Sequence, residues 1–320
     1  MKCLCCGKEI SERASADERK NGWHQRCVRS FFGTAKMPLL DISDEQLVHL
    51  AKESVNKGYT VAGVQKKMSL HLSQEAEARL TIVNYPTGYI LKPQTKDYAF
   101  LPEYEDLAMR LADISGIKTV PHALLKNENE YAYITKRIDR VISGENAALY
   151  AMEDFCQLSG RVTRDKYRGS YENCAKIIRK YSSRPGLDLS ELFLRVVFSF
   201  VIGNSDMHLK NFSLREQTPA ERVYYLAEAY DMLPVNLILP EDEEEMALTL
   251  NGKKRNIRRK DFLEFGNHCG LSEKTAVKLM QKICALQDKY EKACTQSFLQ
   301  KKQIEAMLDL MSARIRRLGG

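Results

Sequence analysis

No stretch of the 320-residue chain approaches the roughly 18 consecutive apolar residues that a membrane-crossing helix needs. The N-terminus, Met1-Lys2-Cys3-Leu4-Cys5, lacks an apolar signal segment, so a cytoplasmic location without a membrane partner is expected. No internal repeat and no low-complexity linker is present, which leaves no basis for a repeat array or tethered modules. The nine cysteines are an odd number, awkward for a secreted disulfide framework. Five of them, Cys156, Cys174, Cys269, Cys284 and Cys294, are scattered singly among helical stretches, as reduced core thiols are. A strong charge imbalance is also missing: the net charge of +7 is compatible with anionic partners but does not choose among them. The acidic run 241–245 and the basic run 253–260 read as a solvated loop and a solvated turn. The basic run has no interleaved aromatics, and no helix-turn-helix signature stands out, so direct DNA binding is not expected.

What is present is concentrated in Asn204-Ser205-Asp206-Met207-His208-Leu209-Lys210-Asn211-Phe212, after an apolar run at 193–202. Alone, an Asp-x-His in a polar loop is usually turn chemistry plus surface charge. An aspartate with an asparagine five residues later, however, has the spacing of a kinase catalytic loop, where the carboxylate faces the substrate hydroxyl and the amide holds magnesium. A second acid, Asp231, follows a strand-like segment at 223–226 and is placed as the main metal ligand. Mg²⁺ prefers few, hard oxygen ligands, which Asn211 and Asp231 supply. Upstream, Lys92 ends a strand-like Tyr89-Ile90-Leu91, and Glu105 is expected in the first turn of the next helix, read at 103–114. That order suits a phosphate-binding lysine paired with a helical glutamate. Gly63-Val64-Gln65-Lys66 is glycine-poor for a phosphate loop, although its backbone amides can still cover phosphate oxygens.

The first thirty-odd residues read as a Cys/His module. Cys3 and Cys6 make C-x2-C, and His24 and Cys27 make H-x2-C, a set suited to a structural Zn²⁺ in a small knuckle. Cys5 competes with these cysteines in register. Trp23, Phe31 and Phe32 offer a miniature apolar core, and so short a segment needs metal to fold. Beyond it, a helix at 42–57 leads into a strand-rich region with strands near 68–72, 89–92, 123–125 and 131–134. After Arg140 the pattern is mostly helical, with segments at 151–158, 171–181, 189–202, 260–267, 272–295 and 300–317. The expected architecture is α+β and two-lobed, with an active-site cleft between the lobes: a Cys/His module at 1–35, a strand-rich N-lobe at 36–140 and a helical C-lobe at 141–320.

Together these residues resemble the HipA family of bacterial serine/threonine kinases, the toxins of HipBA-type toxin–antitoxin pairs. The matching pieces are Ala62-Gly63-Val64-Gln65-Lys66-Lys67, Ile90-Leu91-Lys92, the Glu105 helix, Lys136-Arg137-Ile138-Asp139-Arg140, Ile202 to Ser213 around Asp206, and Tyr230-Asp231. The resemblance implies a protein-kinase-like fold using ATP and Mg²⁺. It implies that Asp206 is the catalytic or hydroxyl-orienting acid, that Asn211 and Asp231 hold magnesium, and that Lys92 binds phosphate. It further implies an adenine hinge from the Lys136–Ile138 backbone, a loop-shaping His208 and a γ-phosphate contact from Lys210. The implied substrates are proteins, including aminoacyl-tRNA synthetases. The implied partner is a HipB-like helix-turn-helix antitoxin, through which DNA is met only indirectly.

Three departures stand out. The chain has the Cys/His module where longer members have an extra β-rich domain; it resembles the short HipT-like form, whose missing subdomain comes from a separate small protein. The serine that often precedes the loop glycine is Ala62 here, which leaves Thr60 as the local hydroxyl for regulation. The HRD, DFG and GxGxxG motifs of ordinary protein kinases are absent. Two other readings compete: a small-molecule phosphotransferase on the same fold, and a catalytically silent nucleic-acid-associated regulator.

Overall fold

Alternating apolar positions build a six-stranded sheet in the computed structural model of the chain, which describes residues 1–41, 67–73, 78–81, 87–127, 130–143 and 146–319. The strands are β1 (Leu39–Asp41), β2 (Met68–Ser73), β3 (Arg79–Thr81), β4 (Tyr89–Pro93), β5 (His122–Asn127) and β6 (Glu130–Lys136). Their order is β1-β3-β2-β4-β6-β5, antiparallel except for β1 beside β3. The helix expected at 42–57 and the loop 60–66 lie outside the described residues. The described chain divides into two units, residues 1–106 with 120–148 and residues 107–119 with 149–320.

In the first unit, Leu70, Leu80, Leu91, Ala123 and Ile134 bury one face of the sheet. The Cys/His segment belongs to this unit. Its helices, Ala16–Asn21 and Gln25–Phe32, both end at left-handed glycines, Gly22 and Gly33. Trp23, Phe31 and Phe32 do cluster, with ring centroids 4.9–5.5 Å apart. The cluster is not self-contained, however, because Tyr89 of β4 packs on both phenylalanines. The Trp23 indole N–H donates to the Leu124 carbonyl (3.0 Å), and the Leu124 N–H donates to Leu4 (3.1 Å). The module is therefore hydrogen-bonded to β5. The helix Leu101–Ser115 starts earlier than the sequence suggests, so its first-turn acid is Glu103 and Glu105 falls one turn later.

β7 (Arg140–Ser143) and β8 (Asn146–Leu149) pair with each other, and the segment 151–158 is not the single helix expected. Met152–Asp154 is a strand, β9, and only Phe155–Leu158 is helical. The strand gains a ladder from β10 (Ser213–Glu216), which also pairs with β11 (Tyr224–Leu226). Tertiary pairing overrides local pattern here. The helix Pro185–Ile202 is the second unit's centre, opening on Pro185, predominantly apolar and buried from Leu192 onward. It packs against Tyr171–Tyr181, Arg259–His268, Glu273–Cys284 and Lys301–Leu318.

The expected helix at 272–295 is two helices, Glu273–Cys284 and Gln287–Thr295, broken at Ala285-Leu286. Both break residues are strong helix formers, so propensity gives no warning. The second helix instead buries Tyr290, whose hydroxyl meets Ser115 Oγ at 2.7 Å. The two charged runs are not separately solvated. Glu243 pairs with Arg255 and Glu244 with Lys254, and Glu245 accepts from the Ile257 N–H and from Arg317. Among the described residues no helix is long and apolar enough to cross a membrane.

Candidate active site

Gly203 ends the central helix at φ +73°, and a Cβ there would lie 2.5 Å from Leu310, so only glycine fits. The chain then folds into a tight loop. The Asp206 N–H donates to Asn204 Oδ1 (3.2 Å), and the His208 N–H donates to the Asp206 carbonyl (2.8 Å). Asn211 closes the short 3₁₀ turn Leu209–Asn211, and its Nδ2 donates to that same carbonyl (2.9 Å). Met207, Leu209 and Phe212 are buried anchors between the polar residues, and the Tyr171 hydroxyl holds the Met207 carbonyl (3.0 Å). The five-residue spacing of Asp206 and Asn211 thus brings the amide onto the backbone of the acid.

Burial pushes the Asp206 carboxyl up to about 6, and the nearby charges of Asp231 and Asp242 add to this. The Tyr167 hydroxyl, which donates to Asp206 Oδ1, and the charge of Lys166 partly offset the rise. His208 is pushed down to about 3 by burial and by Lys166, so its imidazole is neutral at physiological pH. Its ring is buried edge-on to Tyr167, with centroids 5.0 Å apart, and neither nitrogen has a hydrogen-bond partner among the described residues. A buried polar group left in this state costs stability.

Asp231 sits in left-handed backbone at φ +60°, an uncommon conformation for a residue with a side chain. It is held between buried Met232 and half-buried Tyr230, whose hydroxyl donates to the Lys210 carbonyl (3.1 Å) and meets Ser213 Oγ. The Lys210 ammonium pairs with Asp154 (2.6 Å), the cap of the Phe155–Leu158 helix, so any phosphate contact from Lys210 would compete with that carboxylate. Asn211 and Asp231 fit a magnesium ion by donor type: with Nδ2 committed to the backbone, Asn211 has its amide oxygen left to offer, and Asp231 supplies a carboxylate.

In the first unit, Lys92 and Glu105 form a 2.6 Å ion pair with only 5% and 0% of their surfaces exposed. The Lys92 ammonium also lies 5.5 Å from the Tyr133 ring centroid. The Lys136 backbone N–H donates to Pro121 (3.0 Å) and that of Arg137 to Gly88 (2.9 Å), which anchors the stretch leading to Ile138. The Lys136 ammonium reaches the Ser30 carbonyl over the Phe31 ring, and burial lowers its pKa. Asp139, gripped by Arg137 and Arg140, titrates well below the usual carboxylate range although burial opposes this. Gly63, Val64, Gln65, Lys66 and Thr60 lie outside the described residues.

The ligand atoms of Cys3, Cys6, His24 and Cys27 all lie within 4.8 Å of one another. His24 Nδ1 faces the Cys6 sulfur (3.3 Å), while Nε2 is 3.1 Å from the Glu9 carbonyl, an arrangement that orients the ring. Burial alone would raise the Cys6 thiol. Hydrogen bonds from the Lys8 backbone, His24, Cys27 and Cys3 outweigh it and bring the thiol down to about 7. Three thiolates and one imidazole suit Zn²⁺, and four protein ligands leave no open position for chemistry.

Tyr167, Lys166, Asp154 and Asp242 were not legible as site residues. Tyr167 is 39 positions from Asp206 and Asp154 is 56 from Lys210, with no motif joining either pair.

The sequence model of the HipA-like C-terminal domain matches residues 59–290. The chain belongs to the HipA-like C-terminal domain family. Its curated relatives include a protein named as a candidate kinase from Haemophilus influenzae, 28% identical over 309 residues and covering 87% of each chain. They also include the candidate kinases Y4mE and Y4dM of Sinorhizobium fredii, at 28% and 30% identity. Those matches cover 63% and 73% of this chain but only 48% and 59% of the Sinorhizobium proteins. Among solved structures, HipA in a complex with HipB and operator DNA from Shewanella oneidensis MR-1 superposes with a TM-score of 0.70 at 18% identity, over 87% of this chain and 71% of that one. The Helicobacter pylori proinflammatory kinase CtkA gives 0.55 at 15% identity, over 78% of this chain and 93% of its own. At these identities the likeness is one of fold: the HipA-like chain has a mixed α/β, kinase-like fold.

Proposed function

We propose that this HipA-like chain is an ATP- and Mg²⁺-dependent serine/threonine protein kinase. In this reading it is the toxin of a HipBA-type pair and transfers the γ-phosphate to a hydroxyl of a cellular protein such as an aminoacyl-tRNA synthetase. The observation that carries the reading is the loop in which Asn211 is bonded to the backbone of half-buried Asp206 while the charge of Asp231 acts on the Asp206 carboxyl. Bound magnesium would neutralise charge on the phosphates. Asn211 and Asp231 would hold it, Asp206 would orient the acceptor hydroxyl and take its proton, and neutral His208 would shape the loop beside it. Lys92, fixed by Glu105, would bind phosphate. Gly63 to Lys66 would cover the phosphates, the Lys136–Ile138 backbone would meet adenine, and Thr60 would be a regulatory hydroxyl. A HipB-like antitoxin would be the partner that meets DNA, and a separate small protein would supply the missing subdomain.

The test is transfer from labelled ATP with magnesium to a protein acceptor. Asp206→Ala is expected to lose on the order of 10³-fold or more in transfer while still binding ATP. Near wild-type transfer by that variant would refute the assignment.

The Cys/His cluster is assigned to one structural Zn²⁺. Metal analysis of protein purified without chelator should find about one zinc per chain. Because Leu4 and Trp23 both bond to Leu124, chelation is expected to speed amide exchange along β5. Zinc-free protein with an ordered N-terminus would remove the metal from the account.

A further inference from the structure

The turns after the Phe155–Leu158 helix have no role in the scheme above, yet they place a phenol on the Asp206 carboxylate. The Tyr167 hydroxyl donates to Asp206 Oδ1. The Tyr167 ring lies edge-on to His208, and the Lys166 ammonium stands 4.9 Å from its centroid. The Lys166 carbonyl accepts the Leu209 N–H (3.2 Å), tying this segment to the catalytic loop. The segment has little regular structure: a 3₁₀ turn at Thr163–Asp165, then a bond from the Arg168 N–H to Asp165. Asn211 and Asp231 lie in the same unit.

An acceptor hydroxyl in phosphoryl transfer donates its hydrogen to the orienting carboxylate while an oxygen lone pair faces phosphorus. The Tyr167 hydroxyl already makes that first contact. We propose that Tyr167 is itself a phosphoryl acceptor, an autophosphorylation site modified within the same chain before any external substrate. The proposal rests on the kinase reading above. In the step, Tyr167 Oη bonds to the γ-phosphorus of ATP and the bond from that phosphorus to the β,γ-bridging oxygen breaks. ADP leaves with the electron pair, and the phenolic proton passes to Asp206 Oδ1. Lys166 supplies positive charge beside the new phosphate. The product carries close to two negative charges next to Asp206, near Asp231 and Asp242. Repulsion then moves the turn segment off Asp206 and uncovers it for a hydroxyl of another protein.

The experiment is peptide mapping of the full chain after incubation with ATP and magnesium, with ADP release and transfer to a generic protein acceptor followed in the same reaction. One phosphate is expected on Tyr167, formed at a rate independent of protein concentration and absent from Asp206→Asn. Tyr167→Phe is expected to label the acceptor without the lag that the wild type shows. Labelled acceptor or phosphate on another residue, with Tyr167 bare, overturns the proposal and leaves the kinase reading standing. Slower acceptor labelling by Tyr167→Phe, again with Tyr167 bare in the wild type, makes the tyrosine a positioning residue instead. No ADP and no label anywhere overturns both readings. If Tyr167→Phe melts far below the wild type, mapping of the wild type and Asp206→Asn decides alone.

Discussion

Lys92 and Glu105 are buried against each other at 2.6 Å, each neutralising its neighbour. His208 is also buried and Asp206 half-buried, but neither has an ion-pair partner of that kind: the carboxyl, which accepts from Tyr167, is pushed up to about 6, the imidazole is pushed down to about 3, and neither ring nitrogen has a hydrogen-bond partner among the described residues. In the first region two opposite charges face each other at ion-pair distance. The second leaves polar capacity unused and places a nearby acid, Asp231, in left-handed backbone. Groups kept at such cost are consistent with a site that awaits a ligand.

Breaking the closed pair should have the largest effect on stability. Lys92→Ala takes the buried lysine away from fully buried Glu105, and is expected to cost about 3–5 kcal/mol in denaturant unfolding. The double variant Lys92→Met/Glu105→Leu should recover most of that loss. A single-variant cost below about 1 kcal/mol would mean the pair is not the closed unit described.

Glu103, two residues before Glu105 on the same helix, sharpens the contrast because no lysine pairs with it among the described residues. Burial raises its carboxyl from 4.5 to about 7, with Glu130 and Asp106 adding to the rise. Between those values the folded chain keeps a proton that the unfolded chain has lost. Stability therefore falls as pH rises through about 4.5 to 7, and the full cost applies above that window. Glu103→Gln is expected to flatten this dependence and to stabilise the protein by about 2–3 kcal/mol at pH 8. Unchanged pH-dependence of thermal unfolding would show that Glu103 is solvated.

The smallest effect is expected at the open region. His208→Leu removes an unsatisfied buried imidazole, so stability should rise by about 1–2 kcal/mol while phosphoryl transfer falls at least about tenfold. Destabilisation instead would show that His208 supports the fold as it stands.

The elements read most closely from the sequence are those whose signals are local. The helix Tyr171–Tyr181 matches its expected bounds because its apolar period and its Ser170 cap are written within a dozen residues. The strands around Lys92 and the long apolar helix before Asn204 were legible for the same reason. The strand at Met152–Asp154 was not, because its hydrogen bonds come from Ser213–Arg215, some sixty positions away. Nor was the break at Ala285, where nothing local opposes a helix.

The sequence by itself determined the types and local spacing of the site residues: an acid and an amide five apart at Asp206 and Asn211, a later acid at Asp231, and two cysteine-bearing pairs near the N-terminus. Backbone geometry over a few residues is enough to carry such relations. Tertiary structure alone decided which cysteines converge, selecting Cys3 and Cys6 with His24 and Cys27 where Cys5 competed in register. It alone joined Trp23 to Leu124, Lys210 to Asp154 and Tyr167 to Asp206. Those contacts depend on how distant segments pack, and burial, which sets the charge states of Asp206 and His208, exists only once that packing has formed.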